Sequence, residues 1–133
     1  MGLDNGIMIK AKKEFTWKSK LGNASIYGYQ FLKDETLEVC YWRKCWGIRN
    51  DIIYKLHMPS NECNSETLEP EEIRAIIRVL ESYTDKEYWE QNADSIWEYS
   101  EIIETLWSQI YTLVYVESLV NEGLVEVGFY DSW

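Results

Sequence analysis

Hydrophobic and polar positions change their period twice along the chain, which divides it into a strand-rich start, a helical middle and one last strand. Alternation of the half-buried strand type runs through Gly6-Ile7-Met8-Ile9, through Ala24 to Leu32 and through Leu37 to Trp42, with turns at Gly22-Asn23 and Lys33-Asp34-Glu35. From Trp46 the apolar residues Ile48, Ile52, Ile53 and Leu56 recur at helical spacing, and Pro59 stops that helix. Residues Pro59 to Leu68 read as a polar loop. Pro70 with Glu71 and Glu72 opens a second helix, because proline needs no N–H in the first turn and carboxylates favour the positive end of the dipole. Its apolar stripe is Ile73, Ile76, Ile77 and Leu80. Tyr83 to Asn92 reads as an aromatic connector, after which Asp94 or Ser95 caps a long helix carrying Ile96, Tyr99, Ile103, Leu106, Ile110, Leu113 and Val120, ended by Gly123. Leu124 to Tyr130 alternates again, as a final strand that pairs with an N-terminal one. The expected fold is α+β: a single domain over 1–133, with a small, mostly antiparallel sheet of N-terminal strands plus the C-terminal strand packed against about three helices.

Composition supports one core. With 133 residues, 46% hydrophobic and 15% aromatic, the chain can bury enough surface without a disulfide or a metal staple. The basic segment Lys10 to Lys20 is expected as an exposed strand or loop whose lysines protect a sheet edge. Charge is uneven: residues 1–50 carry nine Lys/Arg against five Asp/Glu, and residues 51–133 carry four against eighteen. Such an acidic half repels duplex nucleic acid and favours a basic partner, such as a nucleic-acid-binding protein. No apolar run approaches the roughly 18 residues of a membrane span, no signal segment is seen, and three cysteines is an odd number, so no membrane contact and a cytoplasmic location with reduced thiols are expected.

Candidate chemistry gathers at Cys40-Tyr41-Trp42-Arg43-Lys44-Cys45-Trp46, where two cations and three aromatics share seven residues at a strand-to-helix junction. A second aromatic cluster closes the chain at Phe129-Tyr130-Asp131-Ser132-Trp133. If the last strand lies near the one ending at Trp42, both clusters face one pocket, and the candidate binding residues are Tyr41, Trp42, Arg43, Lys44, Trp46, Asp4, Asp131 and Trp133. The competing role for Arg43 is structural, tying the sheet to Asp131, and that role is preferred. Trp133 is expected as a buried plug. Cys40, Cys45, His57 and Cys63 have spacings resembling a zinc site, but two of them flank a strand end, so no metal and no cofactor are expected. A lone histidine, no recognisable nucleophile and no phosphate-cradling glycine loop make an enzyme the weakest reading, although Asp4, Asp51 and Asp131 remain available for acid–base work.

Three words carry a family resemblance: Met1-Gly2-Leu3-Asp4, then Tyr41-Trp42-Arg43-Lys44 before a helix, then Tyr130-Asp131-Ser132-Trp133. The chain resembles a family of small phage and prophage proteins with that opening, that central word and a Tyr-x-Ser-Trp tail, and departs from it by carrying Cys40 and Cys45. The resemblance implies a mobile-element accessory protein that blocks host machinery, such as a host-defence antagonist. The leading expectation is therefore non-catalytic binding to a host protein, of defence or nucleic-acid handling, through an acidic helical surface. The alternative is a binder of a nucleotide or nucleotide-like signal in an aromatic, basic pocket. A basic pocket with converging donors would favour the ligand; a flat acidic face with exposed aromatics would favour the partner.

Overall fold

The computed structural model describes residues 2–19 and 27–133. Strand β1 (Asp4–Ala11) lies at the centre of the main sheet, antiparallel to β4 (Thr36–Arg43) on one side and to β6 (Val125–Ser132) on the other. A short β5 (Ser65–Thr67) borders β6, giving the order β4-β1-β6-β5, while β2 (Phe15–Thr16) and β3 (Gln30–Phe31) form a separate two-stranded ribbon. Helices α1 (Trp46–Lys55), α2 (Pro70–Tyr83), α3 (Lys86–Asn92) and α4 (Tyr99–Asn121) complete an α+β domain.

The inward face of the sheet follows directly from alternation. Asn5, Ile7, Ile9 and Ala11 on β1 match Val125, Val127, Phe129 and Asp131 on β6, and all are buried. On β4 a bulge opposite Ile7 and Met8 inserts one residue, so that Val39 and Cys40 are both buried and Trp42 still points inward. α2 buries Ile73, Ile76, Ile77, Val79, Leu80 and Tyr83, and α4 buries Leu106, Ile110, Leu113, Val116 and Leu119 in the same core.

Several expectations are corrected. The described residues form four helices, because the connector after Tyr83 contains α3, capped by Asp85, whose side chain accepts from the Tyr88 amide at 2.9 Å. α4 is capped by Glu98 and Glu101 in a reciprocal box rather than by Asp94 or Ser95, so Ile96 precedes the helix and is exposed. The loop from Pro59 to Leu68 contains β5, whose residues are all exposed and which exists through its pairing with β6. Of the strand expected over Ala24 to Leu32, the part at 24–26 lies outside the described residues, and only Gln30–Phe31 forms strand beyond it. The segment from Lys10 is not exposed throughout, since Phe15 and Trp17 are buried, and Lys10 belongs to the central strand rather than an edge.

One buried ion pair ties these layers together. Arg49 Nε on α1 donates to Asp131 Oδ2 on β6 at 2.6 Å, and both side chains are almost wholly enclosed. Arg49 also donates to Asn50 Oδ1, Ser60 O and Glu62 O, while Asp131 Oδ1 accepts from the backbone N–H of Asn64. The sheet-tying arginine is thus Arg49 rather than Arg43, whose side chain is exposed. Replacing Arg49 or Asp131 with Ala strands the other charge in the interior, so each variant should lose ~3 to 5 kcal/mol of stability, with a melting point lower by on the order of 10 °C. Arg43→Ala should stay within about 0.5 kcal/mol of the parent. Thermal unfolding of the three variants checks this, and an Arg49→Ala protein that melts like the parent would disprove the anchor.

Candidate binding site

The island and the C-terminal aromatic cluster do not share one pocket; strand alternation and the turn after β4 divide the candidate residues among three places. Tyr41 and Arg43 leave β4 on the outer face of the sheet, and Trp42 leaves on the inner face. Lys44 adopts a left-handed backbone (φ 52) that turns the chain into α1, and its aliphatic stem lies over Gly2. The first turn of α1 then rests on the segment at Asn92 and Ala93, where Gly47 N–H donates to Ala93 O. A side chain at Gly47 would meet Asn92 O at 2.0 Å, so only glycine allows that approach.

The first place is the environment of Arg49. Trp46 and Trp133 meet edge to face at 5.8 Å between ring centroids, and the guanidinium lies 5.8 Å from the first ring and 5.5 Å from the second. Trp46, Asp131 and Trp133 are thus brought together, around a cation already committed to protein acceptors. Trp133 is 36% exposed, so the expected buried plug is in fact a partly exposed cover on this ion pair.

The second is the outer sheet face. Tyr41 donates to Asp4 Oδ1 and Tyr130 to Glu38 Oε2, each at 2.5 Å. The Tyr130–Glu38 bond crosses β1 above Gly6, where an added Cβ would sit 3.1 Å from the Tyr130 ring and 2.4 Å from Cys40 O. The bond to Asp4 raises the Tyr41 phenol above its ordinary range; burial, and then the bond to Glu38, raise that of Tyr130.

The third is an apolar cavity of about 120 Å³ between the end of β4, α1 and the start of α4. Trp42, Cys45, Ile48, Trp89, Trp97 and Ile102 line it, and Tyr41 and Arg43 border it as well, because β4 is the edge strand of the sheet and the cavity opens at that edge. Trp42 Nε1 is satisfied by Gln109 Oε1 at 2.8 Å and the Cys45 thiol by Ala93 O at 3.6 Å. Burial pushes the Cys45 thiol up and keeps it protonated. Trp89, Trp97 and Gln109 were not legible as site residues, because their roles come from tertiary contacts between segments distant in sequence.

Other candidates resolve into local structure. Asp51 Oδ2 accepts from Tyr83 at 2.8 Å and Tyr88 at 2.9 Å, a carboxylate held between helices. Cys40 and Cys45 are buried, Cys63 is exposed, and no cluster of three metal-ligating side chains occurs among the described residues. Among them, too, no helix is long and apolar enough to cross a membrane. No protein-family model, curated protein or solved structure matches the chain.

The tyrosines make alkaline stability testable. Burial, followed by the bond to Asp51, raises the Tyr83 phenol above the ~10 of an unfolded tyrosine. The folded state therefore holds that proton more tightly. Its stabilising contribution is complete below pH ~10 and is lost as pH climbs from there towards the folded value. Urea midpoints measured from pH 9 to 11 should fall less steeply for Tyr83→Phe than for the parent; parallel profiles would refute the assignment.

Proposed function

We propose that this chain is a non-catalytic binding protein of the phage accessory type, which docks on a basic host protein through the outer face of α4. The supporting observation is the exposed stripe Trp107, Tyr111 and Val114, in which the two rings stack at 6.2 Å, on a helix devoid of Lys and Arg. Between Glu98 and Glu122 the chain carries five glutamates and no cation. Exposed aromatics of this kind supply most of the energy in protein interfaces, and surrounding carboxylates select a basic partner and speed its approach. Stacked Trp and Tyr faces additionally attract lysine and arginine by cation–π interaction. The ligand alternative at the aromatic, basic cavity has less behind it: about 120 Å³ is well below the 300 to 1,000 Å³ of sites that enclose drug-sized molecules, and Arg43 is the one cation among the described residues that borders it.

The test is co-purification from bacterial host extract, followed by binding measurements on the retained protein. Trp107→Ala with Tyr111→Ala should weaken binding by about 100-fold, if each residue contributes in the hot-spot range, with the melting point unchanged. Glu104→Lys with Glu122→Lys, which leaves the capping box of α4 intact, should slow association and reduce its salt dependence. A partner held equally by all these variants would contradict the reading.

A further inference from the structure

The cavity beside Arg43 lies next to a second, shallower hollow of about 320 Å³, and the two share Trp89 and Trp97 as a common wall. Their chemistry is opposite. Among the described residues Arg43 is the one charged residue bordering the apolar cavity, whereas Glu90, Asp94 and Glu98 line the hollow. We propose that these paired depressions form a docking site for the C-terminal tail of a partner polypeptide, one in which basic residues precede a large apolar terminal residue. The terminal side chain enters between Trp42, Trp89 and Trp97, its carboxylate meets Arg43, and the preceding cations meet Glu90, Asp94 and Glu98. This rests on the protein-binding reading above and gives it a chemical specificity.

Size limits the guest to one side chain. A cavity of about 120 Å³ is somewhat smaller than the ~150 Å³ that admits benzene, which suits a Leu or Met side chain and is tight for Phe. With the Trp42 indole N–H and the Cys45 thiol already bonded within the protein, little polar capacity is left inside for a hydrophilic guest. Arg43 is exposed and takes part in none of the ion pairs among the described residues, and Asp4, opposite it on β1, accepts from Tyr41, so the planar fork of Arg43 is available to a carboxylate.

A chain terminus is favoured over an internal acidic residue by electrostatics. It brings a single negative charge attached to the apolar residue itself. A longer acidic stretch would run into the carboxylates of the neighbouring hollow. Basic residues before the terminus gain from the same carboxylates.

The acetylated tetrapeptide Lys-Lys-Gly-Leu with a free C-terminus provides a direct probe, followed by tryptophan fluorescence and calorimetry, since three indoles line the cavity. Saturable binding is expected, weakened about tenfold by amidating the terminus and about tenfold or more by replacing Leu with Ala. Arg43→Ala should erase the difference between acid and amide while keeping the preference for Leu and the melting point of the parent. Glu98→Gln with Asp94→Asn should remove the advantage of lysines over glycines in the peptide. Equal binding of acid and amide to the parent, retention of their difference in Arg43→Ala, or no saturable binding would overturn the proposal. The α4 double variant at Trp107 and Tyr111 separates the two readings, because it should bind the peptide within about twofold of the parent while losing the host protein. A chain that retains its host protein but distinguishes none of these peptides would sink the tail site and leave the α4 face intact.

Discussion

The molecule depends on a charge pair placed where only a well-satisfied one is tolerable. Four donor contacts leave the Arg49 guanidinium, and the carboxylate of Asp131 is held by Arg49 and by the Asn64 amide. Because Asp131 has a fixed register opposite Asn5 on the central strand, Arg49 fixes the position of α1 relative to the middle of the sheet. The loop at 59–64 is drawn in through the carbonyls of Ser60 and Glu62. A buried pair of this kind contributes little over an apolar replacement of the same shape, yet breaking it is costly, so it specifies one arrangement more than it stabilises it. Trp46 and Trp133 complete the enclosure. The β4–α1 junction, and with it the cavity beside Arg43, inherits its geometry from this contact.

Both partners were readable in principle, from their phase. The alternation Val125, Val127, Phe129 continues inward at Asp131, and the helical stripe Cys45, Ile48, Ile52, Ile53 includes position 49. Two opposite charges lying on the apolar phase of two elements are the sequence sign of a buried pair. Proximity in the Trp-Arg-Lys word drew the expectation to Arg43, which has the outward phase of β4. The strands β1, β4 and β6, the helices α1, α2 and α4, and the α+β class were legible because each buries one regular face. α3 and β5 were not: α3 buries Trp89 alone, and β5 is three exposed residues ordered by backbone bonds to β6. Neither leaves a periodic trace.

The island at 40–46 shows that closeness in sequence does not place functional residue types on one face. Adjacent strand residues face opposite ways, so Tyr41, Trp42 and Arg43 cannot present one flat surface, and the turn at Lys44 reorients the next residues again. What the residues share is an end of the sheet. There the 93–95 segment closes over the junction, its backbone bonded to Trp46 and Gly47, and brings Trp97 towards Trp42. The cavity is therefore a product of two segments about fifty residues apart. Its walls were visible only as unexplained tryptophans.

Charge and aromatic surface divide the work of recognition on this reading. At physiological salt, exposed charges act over about 8 Å, so the carboxylates around α4 guide and filter partners without holding them tightly. Holding falls to apolar groups that water cannot replace: the Trp107–Tyr111 stack on a ridge, and the Trp42–Trp89–Trp97 cavity that needs a complementary projection. Ridge and cavity both involve α4, which presents the first on its exposed face and contributes Ile102, in its opening turns, to the wall of the second. A partner that engages both gains from linkage, because the second contact forms at a high effective concentration once the first has formed. Two weak apolar contacts can then yield a selective complex, whereas the acidic surface alone would attract any basic protein.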